Sequence, residues 1–144
     1  MDVSDLRQRI LRALEAGKNE AATRRTEVDA AKAAYDKFLE NVAVPLLRQT
    51  QGILKAERQL FTVHAPAGSA KLVADAYPET FLEFTLDNSG NRPQVMGRLS
   101  IARGGKRVAV EERPLAPNKA IAEIEDDDVA GFLVREIPKL VSRG

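Results

Sequence analysis

One histidine, one run of acids and one run of bases are the parts of this 144-residue chain with chemistry to offer. His64 would need a nucleophile and an orienting acid to act as a general base. Its alternation with Phe61 and Val63 instead places it on the less apolar face of a strand. The chain has no cysteine, which removes disulfides and thiolate nucleophiles and leaves a lone histidine without the partners of a zinc site. Glu123, Glu125, Asp126, Asp127 and Asp128 supply hard oxygen ligands but lack the alternating spacing of a calcium loop. They fit better as acids placed before the positive end of a last helix. No metal site and no cofactor are expected.

Between Asn91 and Arg107 the sequence carries five bases (Arg92, Arg98, Arg103, Lys106 and Arg107) and no acid. A basic two-stranded ribbon can track phosphates or meet an acidic protein surface. It contains no aromatic residue to stack on a base, and charge on hairpin edges also deters aggregation. Gly105-Lys106 is not a phosphate loop, because Ser100 stands where that motif wants glycine and Arg107 where it wants serine or threonine. Ser69 lacks the following glycine of a nucleophile elbow. No enzyme activity is expected; a catalyst built on carboxylates or His64 is the third-ranked alternative.

The elements that would position these residues divide the chain in two. From Val3 to Val42, apolar or small residues recur at steps of three and four: Leu6, Ile10, Leu14, Gly17, Ala21, Val28, Ala31, Tyr35, Phe38 and Val42, with Arg24 interposed. That spacing predicts one stripe along a helix, used in a coiled coil or a helical hairpin. Asp2 and Asp5 suit its start. The stripe keeps its phase across Gly17, which favours a continuous helix over a turn through Ala16-Gly17-Lys18-Asn19. At ~1.5 Å per residue such a rod reaches about 60 Å and cannot cover its own stripe. The seam Leu6, Ile10, Leu14, Ala21, Val28, Ala31, Tyr35, Phe38 and Val42 is therefore expected to be a homo-oligomer interface, a dimer first. Pro45 predicts a kink or break, followed by a second helical stretch.

After about residue 60 the period falls to two. Phe61–Ala65, Leu82–Leu86, Val95–Ile101 and Val108–Val110 read as strands, with Lys71–Asp75 and Ala120–Ile124 as short candidates. Asn88-Ser89-Gly90-Asn91 is a turn, and Gly104-Gly105 suits a two-residue hairpin. A last helix carries Val129, Phe132, Leu133, Ile137, Leu140 and Val141, with Pro138 expected to bend or divide it. The prediction is an α+β chain: a helical stalk over 1–58, then a head over 59–144 in which a C-terminal helix packs on an antiparallel sheet of about four strands. Its outline is loosely similar to the RWD-type heads of scaffold and kinetochore subunits, an architectural analogy that carries no motif.

Net charge of +1 gives no global pull on nucleic acid or anionic lipid. No run approaches the ~18 apolar residues of a spanning helix, and the acidic start does not resemble a secretory signal. The expectation is a soluble, cytoplasmic, non-enzymatic protein that oligomerises through its N-terminal helix and presents its head to a protein partner. A nucleic-acid-associated factor using residues 92–107 is the alternative.

Overall fold

A computed structural model describes residues 2–90, 92–103 and 107–141, with positions 103, 107 and 108 described by backbone alone. Helix α1 runs from Val3 to Phe38 as 36 unbroken residues. Asp2 caps it, its carboxylate accepting from the Ser4 N–H at 3.4 Å, and Asp5 lies in the first turn where the helix dipole favours an acid. Gly17 lies inside the helix, so the hairpin alternative falls.

Pro45 does not break the chain. Proline lacks an N–H, and its ring crowds the carbonyl four residues back. The helix meets this with a π-turn over Leu39–Ala43, in which the Val44 N–H reaches the Leu39 carbonyl, and then resumes as α2, Val44–Ala56. α2 ends with Arg58 at φ 63°, the Gln59 N–H reaching the Leu54 carbonyl at 2.8 Å and the Arg58 N–H reaching that of Lys55 at 3.0 Å. Those two bonds form a Schellman cap, a place that usually takes glycine.

Five strands follow rather than four: β1 (Phe61–His64), β2 (Ala70–Ala74), β3 (Phe81–Asp87), β4 (Gln94–Arg103) and β5 (Arg107–Pro114). They form one antiparallel meander in sequence order. The added strand is the short Lys71–Asp75 candidate. The other short candidate, Ala120–Ile124, is instead a 3-10 turn over Ile121–Glu123. Ile121 and Ile124 are both buried, and three residues per turn put them on one side. Arg103 and Arg107 are register partners at the hairpin end; the glycine turn expected between them lies outside the described residues.

α3 spans Asp126–Leu140 with Pro138 inside its last turns, so the proline does not divide it. The helices share one face of the sheet. Leu72, Leu82, Phe84, Val95 and Leu99 point into a core with Tyr35, Phe38, Leu47, Leu54, Val129, Phe132 and Leu133. An aromatic chain crosses it: the Phe38 and Phe84 rings are 6.1 Å apart, and those of Phe84 and Phe132 are 5.7 Å apart. Gly97 sits opposite Phe84 in the register, and a Cβ there would lie 2.2 Å from the Phe132 ring. That position has no room for any side chain. The core thus reaches back along α1 to Tyr35, so the first helix and the sheet fold as one packed unit at this end.

Candidate functional site

The stripe read along α1 divides near its middle. Leu6, Ile10 and Leu14 are 48%, 50% and 57% exposed, and Ala21 is open as well. Val28, Ala31 and Val42 are half-buried, whereas Tyr35 and Phe38 are 2% and 4% exposed. Tyr35 and Phe38 therefore belong to this chain's own core and are not available to a partner. The Tyr35 hydroxyl lies 2.9 Å from the Gly68 carbonyl oxygen and 3.1 Å from that of Phe84, which ties the helix to the β1–β2 loop and to β3. Burial pushes the phenol's pKa well up, and Glu83 and Asp36 add to the shift, so Tyr35 stays neutral and structural.

The basic ribbon is less positive in space than along the chain. Arg92 is exposed and donates to the Pro117 carbonyl at 2.7 Å, fastening the β3–β4 turn to the segment after β5. Arg98 stands on the solvent face of β4, with Glu83 of β3 and Glu112 of β5 as its register neighbours. Arg103 and Arg107 are paired by backbone register, and Lys106 lies outside the described residues. A pattern of charges read along one strand cannot show what stands across it. The two acids come from strands outside the 92–107 run.

Part of the acidic run meets backbone and lysine donors around the start of α3. Asp128 accepts from the Glu125 N–H at 2.9 Å and from the Lys119 ammonium at 2.8 Å. Those bonds hold its carboxyl below the usual range and raise Lys119 in return. Glu123 accepts from the Ala120 N–H at 3.1 Å, and Asp126 and Asp127 occupy the first turn of α3. Among the described residues, no three histidine or acidic side chains are grouped to hold a metal. His64 is exposed at the end of β1, beside Lys71, on an open recess shared with Ala65, Pro66, Val73 and Pro78. The recess lining contains no carboxylate.

Two charged arrangements escaped the reading of the chain. Glu136 is 1% exposed, on the inner side of α3, with the Arg113 guanidinium at 3.3 Å and the Lys139 ammonium at 2.9 Å. Glu111 completes a four-membered cluster, 2.8 Å from Arg113 and 3.2 Å from Lys139. The Glu136 carboxylate beside it raises the Lys139 pKa most. Its signal was an acid in step with Val129, Phe132, Leu133 and Leu140. The second arrangement lies on the open side of the sheet, where the register lines up Lys71, Glu83, Arg98 and Glu112 across four strands. Neither arrangement places a nucleophile beside a base.

No family model matches the chain, and neither the curated proteins nor the solved structures searched contain a match. The analogy with RWD-type heads accordingly stays one of outline. No helix among the described residues is long and apolar enough to cross a membrane.

Proposed function

We propose that this chain is an assembly or interaction protein: the free part of α1 pairs with the same stripe of a second copy as a coiled coil, and the α+β head is presented to a protein partner. One observation carries the reading. A single stripe is packed from Ala31 onward and bare from Val3 to Ala21, with Leu6, Ile10 and Leu14 about half exposed. The bare stretch is about 30 Å of helix at ~1.5 Å per residue. Most helical stability in proteins comes from packing an amphipathic face. Burying a leucine or isoleucine contributes about 1.5–3 kcal/mol, so pairing six such side chains supplies what the rod lacks.

The ribbon reading gains less support, since Glu83 and Glu112 stand beside Arg98 and weaken any phosphate track there.

The test is sedimentation equilibrium of the full chain beside a variant with Leu6→Glu, Ile10→Glu and Leu14→Glu, with helicity followed by circular dichroism. The wild type should be an oligomer, and the variant should fall to a smaller species and lose helical signal. Substitution is cleaner here than truncation, because cutting near residue 46 would also strip Tyr35, Phe38, Leu39 and Ala43 from the core. A wild-type chain and a variant that sediment alike would sink the proposal.

A further inference from the structure

The face of the sheet away from the helices carries a row of charge that is complementary to its own reversal. Residues 71, 83, 98 and 112 are register partners on β2, β3, β4 and β5 and alternate with the inward Leu72, Leu82 and Leu99, so their side chains share the open face. Their signs run plus, minus, plus, minus. Turned end for end, the row reads minus, plus, minus, plus. A second copy laid face to face about an axis along the strands, between β3 and β4, therefore sets Lys71 over Glu112 and Glu83 over Arg98, each pair occurring twice. Aligned sheets pack face to face at about 10 Å with the strands of each within ~30° of the other's, which this axis allows.

The neighbouring rows obey the same operation. Val73, Phe81, Ser100 and Val110 form the next row across β2 to β5. Reversal brings Val73 over Val110, an apolar pair, while Ser100, opposite Phe81, is 4% exposed and takes no part. Thr85 and Met96, partners in the third row, fall over one another's mates. Along this face the described contacts come from the β2–β3 loop, where the Ser100 hydroxyl donates to the Glu79 carbonyl at 2.6 Å. His64 falls outside the paired four, at the rim.

We propose that this open face is an isologous docking surface for a second copy of this chain, with its axis between Glu83 and Arg98. Alternating charge also satisfies neighbours within one sheet. That alternative predicts no coupling between Lys71 and Glu112, which stand three strands apart. The proposal is independent of the helix stripe; if both contacts form, two different two-fold interfaces per chain build assemblies larger than a dimer.

The experiment uses the full-length Leu6→Glu, Ile10→Glu, Leu14→Glu chain, in which the helix stripe is silenced whatever its role. Sedimentation equilibrium is run on that chain, on the same chain with Lys71→Glu, on the same chain with Glu112→Lys, and on an equimolar mixture of the last two. The expected result is a reversible dimer for the parent. Each variant, which now sets like charges over one another twice, should weaken self-association by about tenfold or more. The mixture should recover the parent's association, because a Lys71→Glu chain meets a Glu112→Lys chain with every pair opposite in sign.

Lys71 also covers the Phe81 ring, its ammonium 4.6 Å from the centroid. A second set, Glu83→Lys and Arg98→Glu in separate chains, guards against a local packing effect and must show the same loss and rescue. A parent that stays monomeric to about 1 mM, or mixtures that associate no more tightly than their components, would overturn the proposal.

Discussion

Leu14 and Phe38 belong to one helical stripe, yet one is wet and the other is among the most buried residues of the molecule. The difference is not in the helix. Phe38 has a sheet beside it, with Phe84 against its ring, and Leu14 has nothing of its own chain to touch. A periodicity reports which residues share a side, while burial depends on what lies across from that side. The head end of α1 is thus a core element of a small α+β domain. The far end is the same pattern left without a second layer.

Breaking the comparison should be easiest at the packed end. Phe38→Ala should cost about 3–5 kcal/mol in urea unfolding of the full chain, since it removes a ring from between Tyr35 and Phe84. Gly97→Ala belongs in the same range, because the added methyl meets the Phe132 ring inside the core. Leu14→Ala should leave the head's unfolding free energy within about 0.5 kcal/mol and act, if anywhere, on association. Equal losses at residues 14 and 38 would show that the stripe is one continuous structural unit after all.

A second contrast, also large, sets the buried acid against its two cations. Arg113 and Lys139 are 44% and 39% exposed, whereas Glu136 is 1% exposed. Removing the cations strands a buried carboxylate, so Arg113→Ala with Lys139→Ala should destabilise the head by about 3 kcal/mol. Glu136→Leu deletes the charge that is expensive to bury and leaves the cations free to reach water. It should be close to neutral in stability. Equal effects from the two changes would mean that the cluster is solvated rather than buried.

Much of this architecture could be read from residue order. The alternation in Leu82–Leu86 and Val95–Ile101 marks β3 and β4, and the unbroken phase across Gly17 marks a continuous α1. The misreadings have separate causes. Proline offers a kink or a break at Pro45, and the π-turn over Leu39–Ala43 excludes only the break by carrying the helix on into α2. Ile121 and Ile124, three apart, would face opposite sides of a strand and share one side of a 3-10 turn, so their spacing already argues against the strand. The surfaces were hardest. Within the run from Arg92 to Arg107, the acids beside Arg98, Glu83 and Glu112, become visible only once the register is known. Likewise, no spacing distinguishes the Leu6–Leu14 end of the stripe from the Tyr35–Phe38 end.

Tyr35→Phe offers a smaller and more specific perturbation. It keeps the ring in place and deletes the hydroxyl that approaches the Gly68 and Phe84 carbonyls. A buried carbonyl left without its donor costs about 1–2 kcal/mol, and Phe84 has its sheet partners while Gly68 sits in a loop. The loss should therefore appear in global stability together with faster amide exchange around residues 66–70. An unchanged exchange pattern would mean that the loop is held by its own turn, through the Ser69 N–H on the Pro66 carbonyl at 3.1 Å, and not by the helix.

The smallest expected effect is a gain. Arg58 holds φ 63° in the cap that ends α2, where a side chain costs about 1–2 kcal/mol relative to glycine. Arg58→Gly removes that cost but makes the unfolded chain freer, which returns about 0.5–1 kcal/mol. The balance is a stabilisation of about 0.5 kcal/mol, or about 1–2 °C in Tm for a chain of this size. Because α2 packs into the head and the free end of α1 does not, the gain should raise the unfolding midpoint and leave the sedimentation profile unchanged. A shift in association from this substitution would tie the bare half of the stripe to the packed half through the helix itself. It would then be wrong to treat the two ends as independent.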